Sequence, residues 1–468
     1  MNPNWFAYTA LFLWPAVAFA LYFRLPANKA TVWTILGAFL LLPYGLTIKF
    51  EMIPGLDKDT IPNICALIGC MLTARRGPTN VRGSAIVILL VLMYLFSPVV
   101  TSYLNSDTIV VGRAMLPGVG IYDGISALLA QFLFFLPFLL GRQLFRDSAD
   151  VQVILRALVI AALVYSVLML FEVRMSPQLH NWLYGYMPRS FLQQMREGGF
   201  RPMVFTGHGL IAALFMSTAL VAAATLWRLR MRISAGIVGY LSVILVLCKS
   251  YASLGYAIAF GPQIMLLKPR TVVRVACLIV LLVFSYPLLR SFDLFPTDQL
   301  VSIAESVSHE RADSLKFRFD NEKLLLDRAS ERPAFGWGRY GRSRIYEEGT
   351  GKDVSVTDGR WIITLGQFGL LGFIAEFGLL LLPVMKAAFA FRYAPTFADK
   401  MLLAGLSAIS AINTVDLLPN AALSPWIWLI AGALLGRSEA LFASSRLPEK
   451  RTSLSFGSQQ NARHESQI

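Results

Sequence analysis

Apolar runs of membrane-crossing length, one after another with short basic connections between them, constrain this chain more than any other feature. A hydrocarbon layer of about 30 Å takes about 20 helical residues at 1.5 Å each. Such runs fall at 5–23, 31–48, 61–74, 85–104, 122–140, 151–171, 203–227, 233–249, 252–267, 272–289, 361–384, 401–418 and 424–442. The expected fold is all-α, a polytopic membrane helix bundle of about 12–14 spans with a large periplasmic loop subdomain. Residues 1–289 hold transmembrane helices and a loop at about 172–202; 290–360 form the large loop; 361–442 hold the C-terminal helices; 443–468 form a cytoplasmic, disordered, Ser/Gln-rich tail. Only 15% of residues are charged, against about 25% in soluble domains. The N-terminal run has no basic flank, so it reads as a retained span and not a cleaved signal peptide.

Lys and Arg in short loops mark the cytoplasmic side of a bacterial membrane protein. Alternate connections carry Arg24 and Lys29; Arg75, Arg76 and Arg82; Arg142 and Arg146; Arg228, Arg230 and Arg232; Lys268, Arg270 and Arg274; and Lys386, Arg392 and Lys400. The basic tail falls on that side too. The other short connections hold Lys49 and Lys58, then Arg113, then Lys249. The long connections 172–202 and 290–360 therefore face outward, and long loops cross regardless of charge. The net charge of +14 is then a footprint of orientation, not a nucleic-acid surface.

Cys65, Cys70, Cys248 and Cys277 all sit in apolar runs with no CxxC and no partner His, so neither a disulfide framework nor a metal site is indicated. Gly336, Trp337 and Gly338 follow Pro333 and precede no strand–helix unit, so they mark a turn and not a phosphate loop. With only short loops inside, nucleotide chemistry there is not expected, and no cofactor is required.

Both outer loops are rich in arginine. In the first, Arg189, Arg196 and Arg201 approach the membrane among Trp182, Tyr184, Tyr186 and Phe191. Arginine offers a planar fork of donors that matches phosphate oxygens. The plain alternative is that these side chains snorkel to ordinary phospholipid phosphates. Gly207 and Gly209 would let a headgroup approach the backbone. His208 reads as a substrate contact or a packed histidine, and Lys249, at a tight turn, as a further phosphate contact. In the second loop, 313–329 has the spacing of an amphipathic helix across the membrane mouth, ended by Pro333. Asp358, just before an apolar run, is either a helix N-cap or a general base facing the arginines. Glu376 lies deep in that run, where a neutral carboxyl hydrogen-bonded to a neighbouring helix is expected.

Four segments together resemble the O-antigen ligase / O-antigen polymerase superfamily of bacterial membrane glycosyltransferases. They are RPMVFTGHGLIAALF; KSYASLGYAIAFG, with Leu254 where many members have arginine; SLKFRFDNEKLLLDRASERPAFGWG; and DGRWIITLGQFGLLG. In the ligases the last pattern opens with His then Asn; here those positions are Asp358 and Gly359, which leans the resemblance toward the polymerases, including those of exopolysaccharide pathways. The resemblance implies a metal-independent, inverting sugar transfer at the outer face of the inner membrane. Its donor and acceptor are glycans on undecaprenyl diphosphate, within membrane lipid, with a flippase and a chain-length regulator of the same pathway as possible partners. By position Arg201 and Arg318 match the family's functional arginines and act with Asp358 in catalysis, while Arg196, His208, Lys249, Arg328 and Arg360 bind substrate. Two other readings stand beside it: a ligase passing the glycan to lipid A-core or protein, and a lipid-linked sugar flippase or transporter, which would instead place charges at the bilayer midplane.

Overall fold

A computed structural model describes residues 2–50, 53–73, 84–196, 198–306 and 308–445. The expected basic residues Arg75, Arg76 and Arg82 and the tail from Arg446 lie outside the described residues. In chain order the helices are α1 (Trp5–Arg24), α2 (Ala27–Leu41), α3 (Thr60–Thr73), α4 (Ala85–Leu104), α5 (Ile121–Leu144), α6 (Ser148–Met175), α7 (Leu179–Tyr184) and α8 (Gly209–Arg228). They continue with α9 (Ala235–Leu247), α10 (Tyr251–Leu266), α11 (Pro269–Ser291), α12 (Thr297–Glu305), α13 (His309–Ser330), α14 (Arg360–Ala390), α15 (Phe397–Asp416) and α16 (Pro425–Ser444). Three two-stranded hairpins are the only sheets among the described residues.

The protein is an all-α polytopic membrane bundle. Helices α1, α4, α5, α6, α8, α11, α14 and α16 are long and apolar enough to cross a membrane. Helices α2, α3, α9, α10 and α15 fall on the remaining expected runs but are shorter or more polar. The twelve to fourteen expected crossings thus rest on eight helices of full length. Successive apolar helices alternate in direction, and cross-links tie like ends together. One end gathers Asn28 with Asp150, Arg142 with Glu439, and Arg437 with Asp399. The other gathers the Tyr184 hydroxyl on the Leu41 carbonyl, Arg332 with Asp107, and Arg290 with Glu322. The described short basic connections all lie at the first, basic end, and both long polar connections at the second, loop end. At the centre α8 is walled in on every side, with Ala212 to Leu226 buried throughout.

Helix α14 is not the single straight span that its sequence suggests. Thr364 and Glu376 are twelve residues apart, about 18 Å along a straight helix. Yet the Thr364 hydroxyl donates to Glu376 at 2.7 Å. The helix is broken at Gly369, whose φ of 66° and ψ of −166° are open essentially to glycine alone. The first half therefore folds back against the second, and residues 370–390 keep about 30 Å, enough to cross.

A break inside a membrane leaves backbone groups that must be satisfied by protein. The segment after α13, residues 331–344 (the strap), does this. Trp337 and Gly338 donate N–H to the carbonyls of Gly366 and Gln367, while Leu370 and Leu371 donate to the carbonyls of Pro333 and Ala334. Gly336 has φ +67°, and a Cβ there would press on the backbone of Gln367 and Gly369. The Gly336-Trp337-Gly338 turn is thus a splint for the broken helix.

Candidate functional site

Helix α13 lies across the loop end, burying Asn321, Leu325 and Ala329 at intervals of four. That face is narrower than the sequence suggests, since Leu324 is half exposed. The same packing aims Arg318 at the rim, where its Nε is 3.6 Å from Asp358 Oδ2 and both side chains meet solvent. Asn321 fixes this pairing by accepting the Val356 N–H at 3.1 Å, which holds the 356–358 segment against α13. Asp358 is not a helix cap. The N-cap of α14 is Gly359, with no side-chain capping bond, and the Arg360 N–H is taken by the carbonyls of Leu417 and Asn420.

Two further carboxylates adjoin this pair, and sequence reasoning passed over both. Glu322, one turn after Arg318, accepts the Tyr286 hydroxyl at 2.8 Å and lies 3.6 Å from Arg290. Burial raises its carboxyl above the ordinary range, with Tyr286, Arg290 and Arg318 opposing. Asp416, at the end of α15, is buried, bonds Asn420 at 3.1 Å and the Tyr256 hydroxyl, and feels the charge of Arg318. The slot between Arg318, Glu322 and Asp358 is about 10 Å³, room for about one water.

The first-loop residues assemble separately. Arg201 is buried, and its Nη2 donates to the Lys249 carbonyl at 2.9 Å. Lys249 holds a left-handed φ of 50° in the turn between α9 and α10 and donates its ammonium to the Arg196 carbonyl at 3.0 Å. Arg196 in turn reaches Glu310 on α13 at 3.8 Å, a direct ionic link between the two long loops. His208 is the N-cap of α8, its Nδ1 accepting the Leu210 N–H at 3.0 Å. Burial, with Arg201, Arg189 and Arg196 nearby, pushes it down to about 4, so the imidazole is neutral. Arg201 and Arg318 do not touch. They are joined through Lys249 and α10, whose Tyr256 meets Asp416.

Two residues expected to contact substrate have partners within the fold. Arg360 is committed to Glu376 through Nε and Nη2, at 2.7 and 2.6 Å. Glu376 is thus held by its own helix across the break, not by a neighbour as expected. Arg328 lies 3.4 Å over the Trp337 ring and binds Glu331 at 2.7 Å, clamping the strap to the end of α13.

Beside the slot, sharing Ile362, a cavity of about 430 Å³ is lined by Tyr340, Ser343, Arg344, Tyr346, Thr357 and Gln367. Its size and its mixture of rings and polar groups suit one or two sugar rings. The density of Arg and Tyr in RYGRSRIY was the available signal. No protein-family model and no curated protein sequence matches this chain.

Proposed function

We propose that the protein polymerises oligosaccharide repeat units carried on undecaprenyl diphosphate, at the periplasmic face of the bacterial inner membrane. The observation that carries this reading is the pairing of Arg318 with Asp358 at the rim of the loop end, next to a polar cavity of sugar size. An acceptor hydroxyl attacks the anomeric carbon of the donor from the face opposite the diphosphate, so configuration inverts. The new C–O bond forms as the bond to the diphosphate oxygen breaks. The electron pair leaves with the diphosphate, where Arg318, with Arg201 and Lys249 toward the first loop, offsets the developing charge. The hydroxyl proton passes to Asp358, released from Arg318 as the guanidinium turns to phosphate. Glycan binding opens the 10 Å³ slot, which is too small to hold a sugar as it stands.

The cellular test is the lipid-linked intermediate that builds up when the protein is lost. A polymerase leaves a single repeat unit on the lipid. Accumulation of full-length polymer on the lipid would instead indicate a ligase, and a repeat trapped on the inner leaflet a flippase. Orientation is tested by a cysteine at the exposed Thr350. It should react with an impermeant thiol reagent in spheroplasts while one at Arg232 is protected, and the reverse labelling would overturn the reading.

A further inference from the structure

The basic end holds a cavity of about 470 Å³ between the start of α11, the end of α14 and the start of α15. Arg270 and Arg274, one turn apart on α11, Arg392 in the turn after α14, and Lys400 in the first turn of α15 line it. Val273, Ala388, Phe389 and Phe391 supply the walls, and Phe389 is 61% exposed. The amino termini of α11 and α15 add partial positive charge.

Several other cations at this end are matched. Arg142 pairs with Glu439 at 2.8 Å, Arg437 binds the Arg146 carbonyl at 2.9 Å, and Arg228 donates to the Ile264 carbonyl at 2.5 Å. In the cavity, the side chains of Arg270, Arg274 and Lys400 make no ion pair or hydrogen bond among the described residues, and that of Arg392 overlies the Tyr393 ring at 4.7 Å. The adjacent carboxylate, Asp399, is taken by Ser148, Thr396 and Arg437. Arg270, Arg274 and Arg392 are exposed, so their mutual repulsion is screened, yet four cations lining one cavity beside an apolar wall favour an anion there.

We propose that this cavity is a binding site for an anionic phospholipid, its phosphodiester among the four cations and its acyl chains along Val273, Ala388 and Phe389. Basic pockets between membrane helices on the cytoplasmic side take such headgroups. The chain's own tail is a poor occupant, because Arg446, Lys450, Arg451 and Arg463 outnumber Glu449 and Glu465. A free anion would leave the apolar walls unused. This site is independent of the glycan reading above.

The test is native mass spectrometry of the full-length protein in detergent, titrated with dioleoyl phosphatidylglycerol or dioleoyl phosphatidylcholine. Phosphatidylglycerol should be retained and phosphatidylcholine should not. Each neutralised cation should weaken retention about fivefold, and Arg270→Gln with Arg274→Gln and Arg392→Gln together on the order of 100-fold. Arg230→Gln with Arg232→Gln, at the same end but outside the cavity, should retain the lipid as the parent does. Equal retention by the triple variant, equal retention of both lipids, or displacement of the lipid by inorganic phosphate would each overturn the site.

Discussion

Helix α13 and the strap that follows it are both rich in arginine, yet Arg318 on α13 and Arg332 and Arg342 in the strap do opposite things. In the strap, Arg342 is fully buried and satisfied by Asp107, Pro117 and Trp337, and Arg332 grips Asp107 and Asn105. Asp107 is held below the ordinary carboxylate range by these guanidinium groups, although burial opposes the shift. On α13, Arg318 makes one loose contact at 3.6 Å with solvent on both partners. A guanidinium with every donor occupied stabilises the fold and cannot take up a phosphate. One with a weak, exposed partner can exchange it. Arg332 and Arg342 brace the mouth, and on the proposed reading Arg318 of α13 is the cation that works in it.

That contrast breaks first, if it breaks, on stability. Arg360→Ala strands the Glu376 carboxylate inside the bundle, at about 3–5 kcal/mol. It should remove most monodisperse protein in size-exclusion chromatography, as should Arg342→Ala. The double variant Arg360→Met with Glu376→Leu should recover much of the yield, because it leaves no orphan charge. Arg318→Ala should fold like the parent but lose on the order of 10²-fold in polymer formation. Arg318→Lys should recover only part of that, having a charge without the fork. Parent-like activity in Arg318→Ala would place α13 with the strap as scaffold.

A smaller effect sharpens the role of the break. Gly369→Ala forces a side chain into φ +66° against the backbone of Ala334 and Phe335, costing about 1–3 kcal/mol in thermal stability. Gly255→Ala, in a helix with open space, should be neutral or slightly stabilising.

The smallest concerns His208, whose folded value of about 4 lies below its ordinary 6.5. The unfolded chain takes up the proton first, so stability present above pH 6.5 is lost as pH falls toward 4. His208→Asn keeps the cap acceptor. It should flatten that acid loss by about 2 kcal/mol near pH 5, read from melting temperatures across the range. His180, depressed to about 4 by burial, continues to titrate in both proteins.

The bundle was legible because bilayer thickness fixes run length, and the two ends because Lys and Arg sort by side. The break in α14 was not. Its first half, WIITLGQF, is mostly apolar and runs on into the span that follows, and only the fold tells which of Gly366, Gly369 and Gly372 turns the chain. The partner of Arg360 was hidden for the same reason, since its carboxylate lies sixteen residues away and meets it only once the helix folds back. Arg318 and Asp358 were legible as a pair of types, but Glu322 and Asp416 read as unremarkable acids until packing set them beside Arg318. Lys249 was placed correctly at a turn; that its ammonium reaches Arg196 is a tertiary fact.

The account's central claim is that Asp358 takes the acceptor proton at the mouth that Arg318 guards. The direct measurement is polymer formation from purified lipid-linked repeats, with chelator present, by Asp358→Asn protein whose melting temperature matches the parent's. Asparagine preserves size and an oxygen facing Arg318 but cannot take up the acceptor's proton. The account predicts a rate loss of about 10²–10⁴-fold with the fold intact. A parent-like rate would contradict it and pass the base to Glu322.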